Sequence, residues 1–170
     1  MRGWIAGLWI GLALSSCTAQ RLLLIRFPED ITGLSPFPRL SKNGQVVVTD
    51  FSFPGINGVV PALWIKGVGW RYLRADGGLT TNPQEAMIGC MAYDCSYDGR
   101  VVVGDARRIF RWRLGVGVED LAPPAGQPPP LYMSVWRVSW DGAFVVGKVF
   151  YRTHFTGGLT IQCAGMQQGK

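Results

Sequence analysis

The sequence predicts an all-β fold made of repeated four-stranded antiparallel sheets. The chain contains 23 Gly and 11 Pro, which favour turns, and many Val and Trp residues, which suit a pleated sheet. One short pattern, a serine followed two residues later by Asp-Gly or Asn-Gly and then by a valine run, occurs three times. Because 48% of the residues are hydrophobic and only 16% are charged, we expect one folded domain with a sizeable core.

The first sixteen residues show the order of regions found in a secretory signal peptide. One basic residue, Arg2, precedes an apolar stretch from Gly3 to Leu14 and then small residues. That stretch is too short to span a bilayer as a helix. We therefore expect residues 1–16 to direct export and to be removed.

Cys17 is the predicted first residue of the mature protein. The segment Leu14-Ser15-Ser16-Cys17 resembles the lipobox of bacterial lipoproteins, in which the cysteine thiol is diacylated before cleavage. The resemblance implies a protein held in the bacterial cell envelope by a lipid anchor, with residues 17–34 forming the lipidated N-terminus and an edge strand. The alternative is ordinary cleavage after Ala19, which would give a secreted or periplasmic protein.

Three copies of one unit follow, with the pattern S-x-[DN]-G-x-Φ-V-V, in which Φ is apolar. The copies begin at Ser41, Ser96 and Ser139. The second and third copies keep an offset of 43 residues, whereas the first aligns with the second at 55 and, after a loop insertion around Ser52 to Pro61, at 48. The repeat domain is therefore expected at residues 35–170, with units at about 35–80, 86–126 and 131–165.

Each unit predicts four antiparallel strands. The first strand ends at the serine, and the glycine of the pattern, Gly44, Gly99 or Gly142, supplies the turn into the valine strand. A third strand and a short fourth strand follow. Four strands recurring every 40 to 50 residues or so are typical of a β-propeller blade, although separate small sheets would show the same spacing.

The third strand carries the aromatic residue of each unit. In Arg108 to Leu114, alternation places Trp112 towards the core and Arg111 towards solvent. Trp64 and Phe155 take the corresponding place in the first and third units. We therefore expect Trp64, Trp112 and Phe155 to be buried in equivalent positions.

The number of units predicts an open or incomplete β-propeller of three blades. Closed propellers have about four to eight blades, so three alternatives arise: an open array, self-association through the terminal blades, and a fragment of a longer propeller. The apolar segment Arg21 to Phe27 is expected to cover an exposed strand edge, by pairing with Leu159 to Cys163.

The units resemble the HAF repeats of bacterial extracellular proteins. The resemblance rests on S-x-D-G-x-V-V-V-G, on the Phe110-Arg111-Trp112 strand and on the glycine turn after it, and it covers roughly residues 35 to 160. The first unit departs from the family, since Thr49 replaces the glycine after the valines and Leu63-Trp64 replaces the aromatic-Arg-Trp sequence. The third unit has Thr153-His154-Phe155 at that place. The family implies no catalytic residues.

The carboxylates in the turns have a structural explanation. Asp98 and Asp141 take the place of Asn43, and a shared turn role accounts for all three residues. Asp50 and Asp105 also correspond to each other, but Lys148 replaces them in the third unit. A repeated acidic site would therefore be incomplete, and we assign no catalytic residue.

The histidine and the cysteines predict neither catalysis nor metal binding. His154 is the only histidine, lies at an outward position and has no nucleophile motif to support it. Cys95 takes an apolar place in the repeat and reads as a small buried hydrophobe. If residues 90 to 95 are extended, Cys90 and Cys95 lie too far apart for a disulfide, and the cysteines, Cys163 included, lack the paired spacing of zinc sites. No cofactor or metal is predicted.

The sequence favours a non-catalytic binding or interaction module anchored in the envelope, with its binding surface on loops at the blade edges. The formal net charge of +6 suits anionic surfaces, such as lipid headgroups or an anionic polysaccharide. The alternative is that the arginines serve only to solvate outer strand faces.

Three kinds of partner are predicted: the membrane, bound through the lipid anchor; an envelope protein or anionic polysaccharide; and a second copy of the chain. Nucleic acid is not expected, because export separates the two. The rival hypotheses are a hydrolase or sugar-processing enzyme on the same scaffold, and a truncated fragment without independent function.

Overall fold

The computed structural model describes residues 24–35, 38–106, 108–123, 126–152 and 159–166. Within these ranges the chain forms three antiparallel β-sheets and one short 3-10 helix, Pro83–Glu85, and it contains no α-helix. None of these sheets closes into a barrel. The predicted all-β class is confirmed. The predicted signal peptide, Cys17, His154, Phe155 and the side chain of Cys163 lie outside the described part of the chain.

The first sheet corresponds to the first sequence unit. Its strands are β1 (Gly33–Leu34), β2 (Arg39–Leu40), β3 (Val46–Ser52), β4 (Val59–Ile65), β5 (Gly69–Leu73) and β6 (Leu79–Thr80). Strands β3 to β6 are neighbours in chain order, and β1 and β2 both pair with β3. The loop at residues 53–58 lies within the predicted insertion.

The second and third sheets correspond to the other two units. The second contains β7 (Met91–Cys95), β8 (Val101–Asp105), β9 (Ile109–Arg113) and β10 (Gly117–Asp120), and the third contains β11 (Tyr132–Val138), β12 (Val145–Arg152) and β13 (Leu159–Met166). Neighbouring strands in both sheets follow chain order. The predicted four strands are present in the second unit, whereas the third has three among the described residues. Strands β7 and β11 are irregular at the same repeat position, at Tyr93 and at Trp136.

The repeated serine pattern forms the same turn in each unit. In the second unit the Ser96 hydroxyl donates a 2.8 Å hydrogen bond to Oδ1 of Asp98, which also accepts from the N–H of Arg100 at 3.0 Å. Oγ of Ser96 accepts from the N–H of Val101 at 3.0 Å. Equivalent bonds form in the first and third units. The turn glycines have φ of 69°, 72° and 77°, a conformation that favours glycine, at Gly44, Gly99 and Gly142.

The three sheets stack face to face in chain order, with a core between each pair. The core between the first and second sheets contains Val46, Val48, Leu63 and Leu73 from one side and Ala92, Cys95, Val102, Phe110 and Trp112 from the other. The core between the second and third contains Val103, Ile109 and Leu121 against Val135, Val138, Val145, Val149 and Tyr151. The second unit therefore buries one face against the first unit and the opposite face against the third.

Hydrogen bonds also join neighbouring sheets. Oδ1 of Asp50 in β3 accepts from the N–H of Ala92 in β7 at 2.6 Å, and Oδ2 of Asp94 in β7 accepts from the N–H of Val138 in β11 at 3.0 Å. These bonds satisfy backbone donors on the first strand of the next sheet.

Arg111 is buried, which corrects the prediction that it faces solvent. Its side chain is 6% exposed, and its Nη2 lies 2.8 Å from Oε2 of Glu119 in β10. Its Nη1 donates a 3.3 Å hydrogen bond to the carbonyl oxygen of Gly142 in the third unit. The prediction failed because the third sheet covers this face of β9, so alternation along the strand did not distinguish a core face from a solvent face.

The N-terminal segment covers a face of the first sheet, not a strand edge. Leu24 to Phe27, the described part of the predicted strand, forms no strand. The Phe27 ring lies 6.0 Å from both the Phe51 and Trp70 rings, and Nε1 of Trp70 donates a 2.8 Å hydrogen bond to the carbonyl oxygen of Arg26. Strand β13, the expected partner of this segment, pairs with β12 along its whole length.

Candidate functional site

The first strands of the three repeat units, β2, β7 and β11, line a common groove, which we call the first-strand groove. Its volume is about 450 Å³. The lining residues are Arg39, Tyr93, Ser134, Val135, Trp136 and Arg137. The three strands meet here because each occupies the same place in its repeat, immediately before the serine turn.

Two arginines give the groove its positive charge. Arg39 and Arg137 occupy the same place in the first and third units, two residues before the serine, where the second unit has Asp94. The Nε atom of Arg39 is buried and has no hydrogen-bond partner among the described residues. Nη1 of Arg137 donates a 2.9 Å hydrogen bond to the carbonyl oxygen of Trp136. Within the part of the chain that the structure describes, no carboxylate forms a salt bridge with either arginine.

Aromatic rings complete the wall of the groove. Trp136 is 41% exposed, and Nζ of Lys148 lies 4.3 Å from the centroid of its ring. This distance is within the range of a cation–π contact. Tyr93, which also lines the groove, is half-buried, and its hydroxyl donates a 3.2 Å hydrogen bond to Oδ1 of Asp105. The groove thus combines cationic side chains with an accessible aromatic surface.

A second aromatic cluster lies where the first strands end. The residue after the serine is Lys42, Tyr97 or Trp140, and the three turns bring these residues together. The Tyr97 and Trp140 rings stack at 4.0 Å with an interplanar angle of 6°, and Nζ of Lys42 lies 5.8 Å from the Trp140 ring centroid. The repeat pattern places these side chains in one cluster although their types differ.

The carboxyl groups near the groove contact protein atoms. Asp50 is 3% exposed, and burial raises its pKa to about 7 against the opposing effect of the hydrogen bond from Ala92. Burial also raises the pKa of Asp105. Burial, and then the charge of Asp105, raises the pKa of Tyr93. A buried carboxyl that accepts a backbone N–H from the next sheet is placed to join the sheets, not to reach a bound molecule.

The turn carboxylates have the structural role predicted for them. For Asp98, burial acts to raise the pKa, but hydrogen bonds from the Arg100 N–H and the Ser96 hydroxyl lower it overall. For Asp141, the hydrogen bond from the Ser139 hydroxyl is the main cause of a lowered pKa. These carboxylates are held ionised as acceptors within their turns.

The prediction that Cys95 is a small buried hydrophobe is confirmed. Cys90 and Cys95 carry free thiols. Cys95 is buried in the core between the first two sheets, and burial raises its pKa to about 12. The described residues contain no group of three or more His, Cys, Asp or Glu side chains placed to hold a metal ion.

The predicted repeat residues lie at equivalent places but do not converge on one site. Gly44, Gly99 and Gly142 form the three turns described above. Trp112 is fully buried between the first two sheets. Trp64 is only partly buried, contrary to prediction, because no sheet within the described ranges precedes the first unit and covers that face.

Sequence reasoning missed the groove arginines. Arg39 and Arg137 were detectable, because both occupy one column of the repeat alignment, next to the apolar column of Cys95. The signal was weak because the second unit has Asp94 in that column. Only the structure shows that the first strands of all three units border one groove.

No family model, curated protein or solved structure matches the chain. The resemblance to HAF repeats therefore stays a prediction from the motifs.

No helix among the described residues is long and apolar enough to cross a membrane.

Proposed function

We propose that this protein is a non-catalytic interaction module of propeller-like β-blades, anchored in the bacterial cell envelope, whose first-strand groove binds an acidic polysaccharide. The observation that carries the proposal is the pair of groove arginines, Arg39 and Arg137, which have no carboxylate partner among the described residues. The formal net charge of +6 supports it, because a cationic surface attracts an anionic chain over a distance of several ångströms.

The groove has donors suited to carboxylate or sulfate groups. A guanidinium offers five N–H donors in a planar fork, and both Arg39 and Arg137 line the groove. The exposed Trp136 ring offers an apolar surface beside these donors. A polysaccharide that carries acidic groups on an otherwise apolar ring skeleton would use both features.

The hydrolase alternative gains less support from the same region. The groove walls are basic and aromatic, and Asp50 is buried and hydrogen-bonded to Ala92. A polysaccharide hydrolase commonly needs a pair of carboxyl groups on either side of the bond that is cleaved. The described arrangement fits binding better than cleavage.

Binding to polygalacturonate, with dextran as the uncharged control, tests the groove. The protein should bind polygalacturonate but not dextran, and added salt should weaken the binding. Arg39→Ala and Arg137→Ala should each weaken binding about tenfold, because a hydrogen bond to a charged group contributes about 1.5 kcal/mol and about 1.4 kcal/mol corresponds to tenfold.

Arg108→Ala is the matched control, because Arg108 is 71% exposed and pairs with Asp120 outside the groove. It removes the same charge and should leave affinity almost unchanged. No binding to polygalacturonate, or equal losses in all three variants, would reject the groove as the binding site.

The envelope location rests on Cys17, which we propose to be the acylated first residue. Mass spectrometry should show a mature N-terminus at Cys17 with two ester-linked acyl chains, and Cys17→Ala should release the protein from membranes, since two or more chains give stable anchoring. An unmodified N-terminus at Gln20 would instead indicate a secreted or periplasmic protein.

A further inference from the structure

Within the described ranges, each end of the stack has an apolar face against which no further sheet packs. On the first sheet, Leu40, Val47 and Trp64 line a groove of about 440 Å³, together with Ile25, Phe27, Pro38, Gly44 and Trp70. We call this the leading face. On the third sheet, Phe144 and Val146 are 47% and 45% exposed, and we call their surface the trailing face.

The leading face corresponds to surfaces that are buried in the later units. Leu40 is 63% exposed, whereas its counterparts Cys95 and Val138 are each 7% exposed because the preceding sheet covers them. Trp64 is partly buried, whereas its counterpart Trp112 is fully buried. Among the described residues, the N-terminal segment contacts this sheet near Phe51 and Trp70.

The trailing face corresponds to surfaces that are buried in the earlier units. Val146 is the counterpart of Val103 and Val48, which are both fully buried beneath the next sheet. Phe144 is the counterpart of Val101 and Val46. The two open faces are therefore the two halves of an interface that this chain already forms twice.

The repeated interface has a specific contact at its turn glycine. A Cβ added to Gly99 would lie 2.6 Å from Cγ2 of Val46, and one added to Gly142 would collide with Val101. The corresponding position in the first unit, Gly44, has nothing within 4 Å of such a Cβ. Gly44 therefore lacks the contact that Val46 and Val101 make with the later turn glycines. The third unit's counterpart of Val46 and Val101 is Phe144.

We propose that the leading face of one copy binds the trailing face of a second copy, and that two such contacts close a ring of six sheets. A contact between two different patches either closes into a ring or continues into a filament. Six sheets fall within the range of about four to eight blades found in closed propellers, which favours closure by two copies. The proposal does not depend on the ligand of the first-strand groove.

The mass of the full chain in solution tests the ring. Sedimentation and native mass spectrometry of the full chain, purified in mild detergent, should give twice the mass of one chain at micromolar concentration. Two variants separate the halves of the interface. Leu40→Asp and Phe144→Asp should each shift the protein to single copies, because each puts a charge into one half of the interface.

Both side chains are exposed in the single chain, so neither change should impair folding. Val116→Asp, at a 66% exposed site away from both faces, is the matched control and should leave the mass unchanged.

Mixing the two variants distinguishes a head-to-tail contact from a symmetric one. The Leu40→Asp chain keeps an intact trailing face and the Phe144→Asp chain keeps an intact leading face, so the mixture should recover pairs that neither variant forms alone. Three results would overturn the proposal: a single-copy mass for the unmodified chain, pairs that persist in either variant, or a mass that grows without limit as concentration rises. None of these results would affect polysaccharide binding, which is measured separately.

Discussion

Nε1 of Trp112 in the second sheet donates a 2.7 Å hydrogen bond to the carbonyl oxygen of Arg74, which lies between β5 and β6 of the first unit. The rest of the indole is buried in the core between the two sheets. In the first unit, Trp64 lines an open groove and is only partly buried. The same repeat position is therefore a core residue in one unit and a surface residue in another, depending on whether a sheet covers it.

This difference predicts unequal costs of truncating the two tryptophans. Trp112→Ala should lower the free energy of unfolding by about 3 to 5 kcal/mol, the usual range for a large aromatic residue removed from a packed core. Trp64→Ala should cost about 1 to 2 kcal/mol, because less of its surface is buried within one chain. Urea unfolding of both variants in the Phe144→Asp background, in which no second copy covers Trp64, measures the difference. Equal costs would show that the two positions are equally buried.

Arg111 is predicted to matter for stability because it is buried and paired. Arg111→Ala should lower the free energy of unfolding by about 2 kcal/mol or more, since it leaves Glu119 and the Gly142 carbonyl without this donor. Arg108→Ala removes an exposed arginine from the same strand region and should cost about 0.5 kcal/mol or less. Thermal or urea unfolding provides the comparison, and a small effect at Arg111 would support the original solvent-facing prediction.

Because Asp50 is buried, we expect the free energy of unfolding to fall as the pH rises from about 4 to about 7. Burial raises its folded-state pKa from 3.8 to about 7, so the folded protein holds a proton that the unfolded chain has released. The stabilisation is therefore fully present below pH 4 or so and is lost as the pH passes through the folded pKa. The loss should be on the order of 3 kcal/mol. The raised pKa of Asp105 also lowers stability as the pH rises. Burial, and then the charge of Asp50, raises the pKa of the Cys90 thiol.

Unfolding measured across this pH range in Asp50→Asn tests the assignment. The variant should lose most of the slope, because an amide does not titrate. Asp98→Asn is the control, since Asn43 already fills the same turn role and the lowered pKa of Asp98 affects stability only at more acidic pH. An unchanged slope in Asp50→Asn would assign the pH dependence to other groups.

The local features of the repeat were predictable because they depend on short-range chemistry. Ser96, Asp98 and Gly99 satisfy one another and the adjacent backbone within six residues, so the turn and the strands on either side follow from the pattern itself. The alternation in β9 located the strand correctly. The burial of Arg111 was not predictable, because it depends on the third sheet covering that face.

Most of the candidate site could not be predicted from the sequence, for a similar reason. Arg39 and Arg137 are 98 residues apart, and their shared groove depends on how three sheets stack. Leu24 to Phe27 was expected to form a strand from its apolar character, but the uncovered face around Phe51 and Trp70 offered an alternative place to bury those side chains. In both cases tertiary packing, and not local pattern, decided the outcome.

Comparing Gly99→Ala with Gly44→Ala tests whether the three equivalent units stack so that each later unit covers the one before it. Both glycines have φ near 70°, so each alanine should pay a similar backbone cost of about 1 to 2 kcal/mol. Only the Cβ at Gly99 meets the preceding sheet, 2.6 Å from Cγ2 of Val46. Measured by urea unfolding in a Phe144→Asp background, which keeps a second copy from covering Gly44, Gly99→Ala should cost about 1 to 3 kcal/mol more than Gly44→Ala. Equal costs at the two glycines would contradict the stacked arrangement.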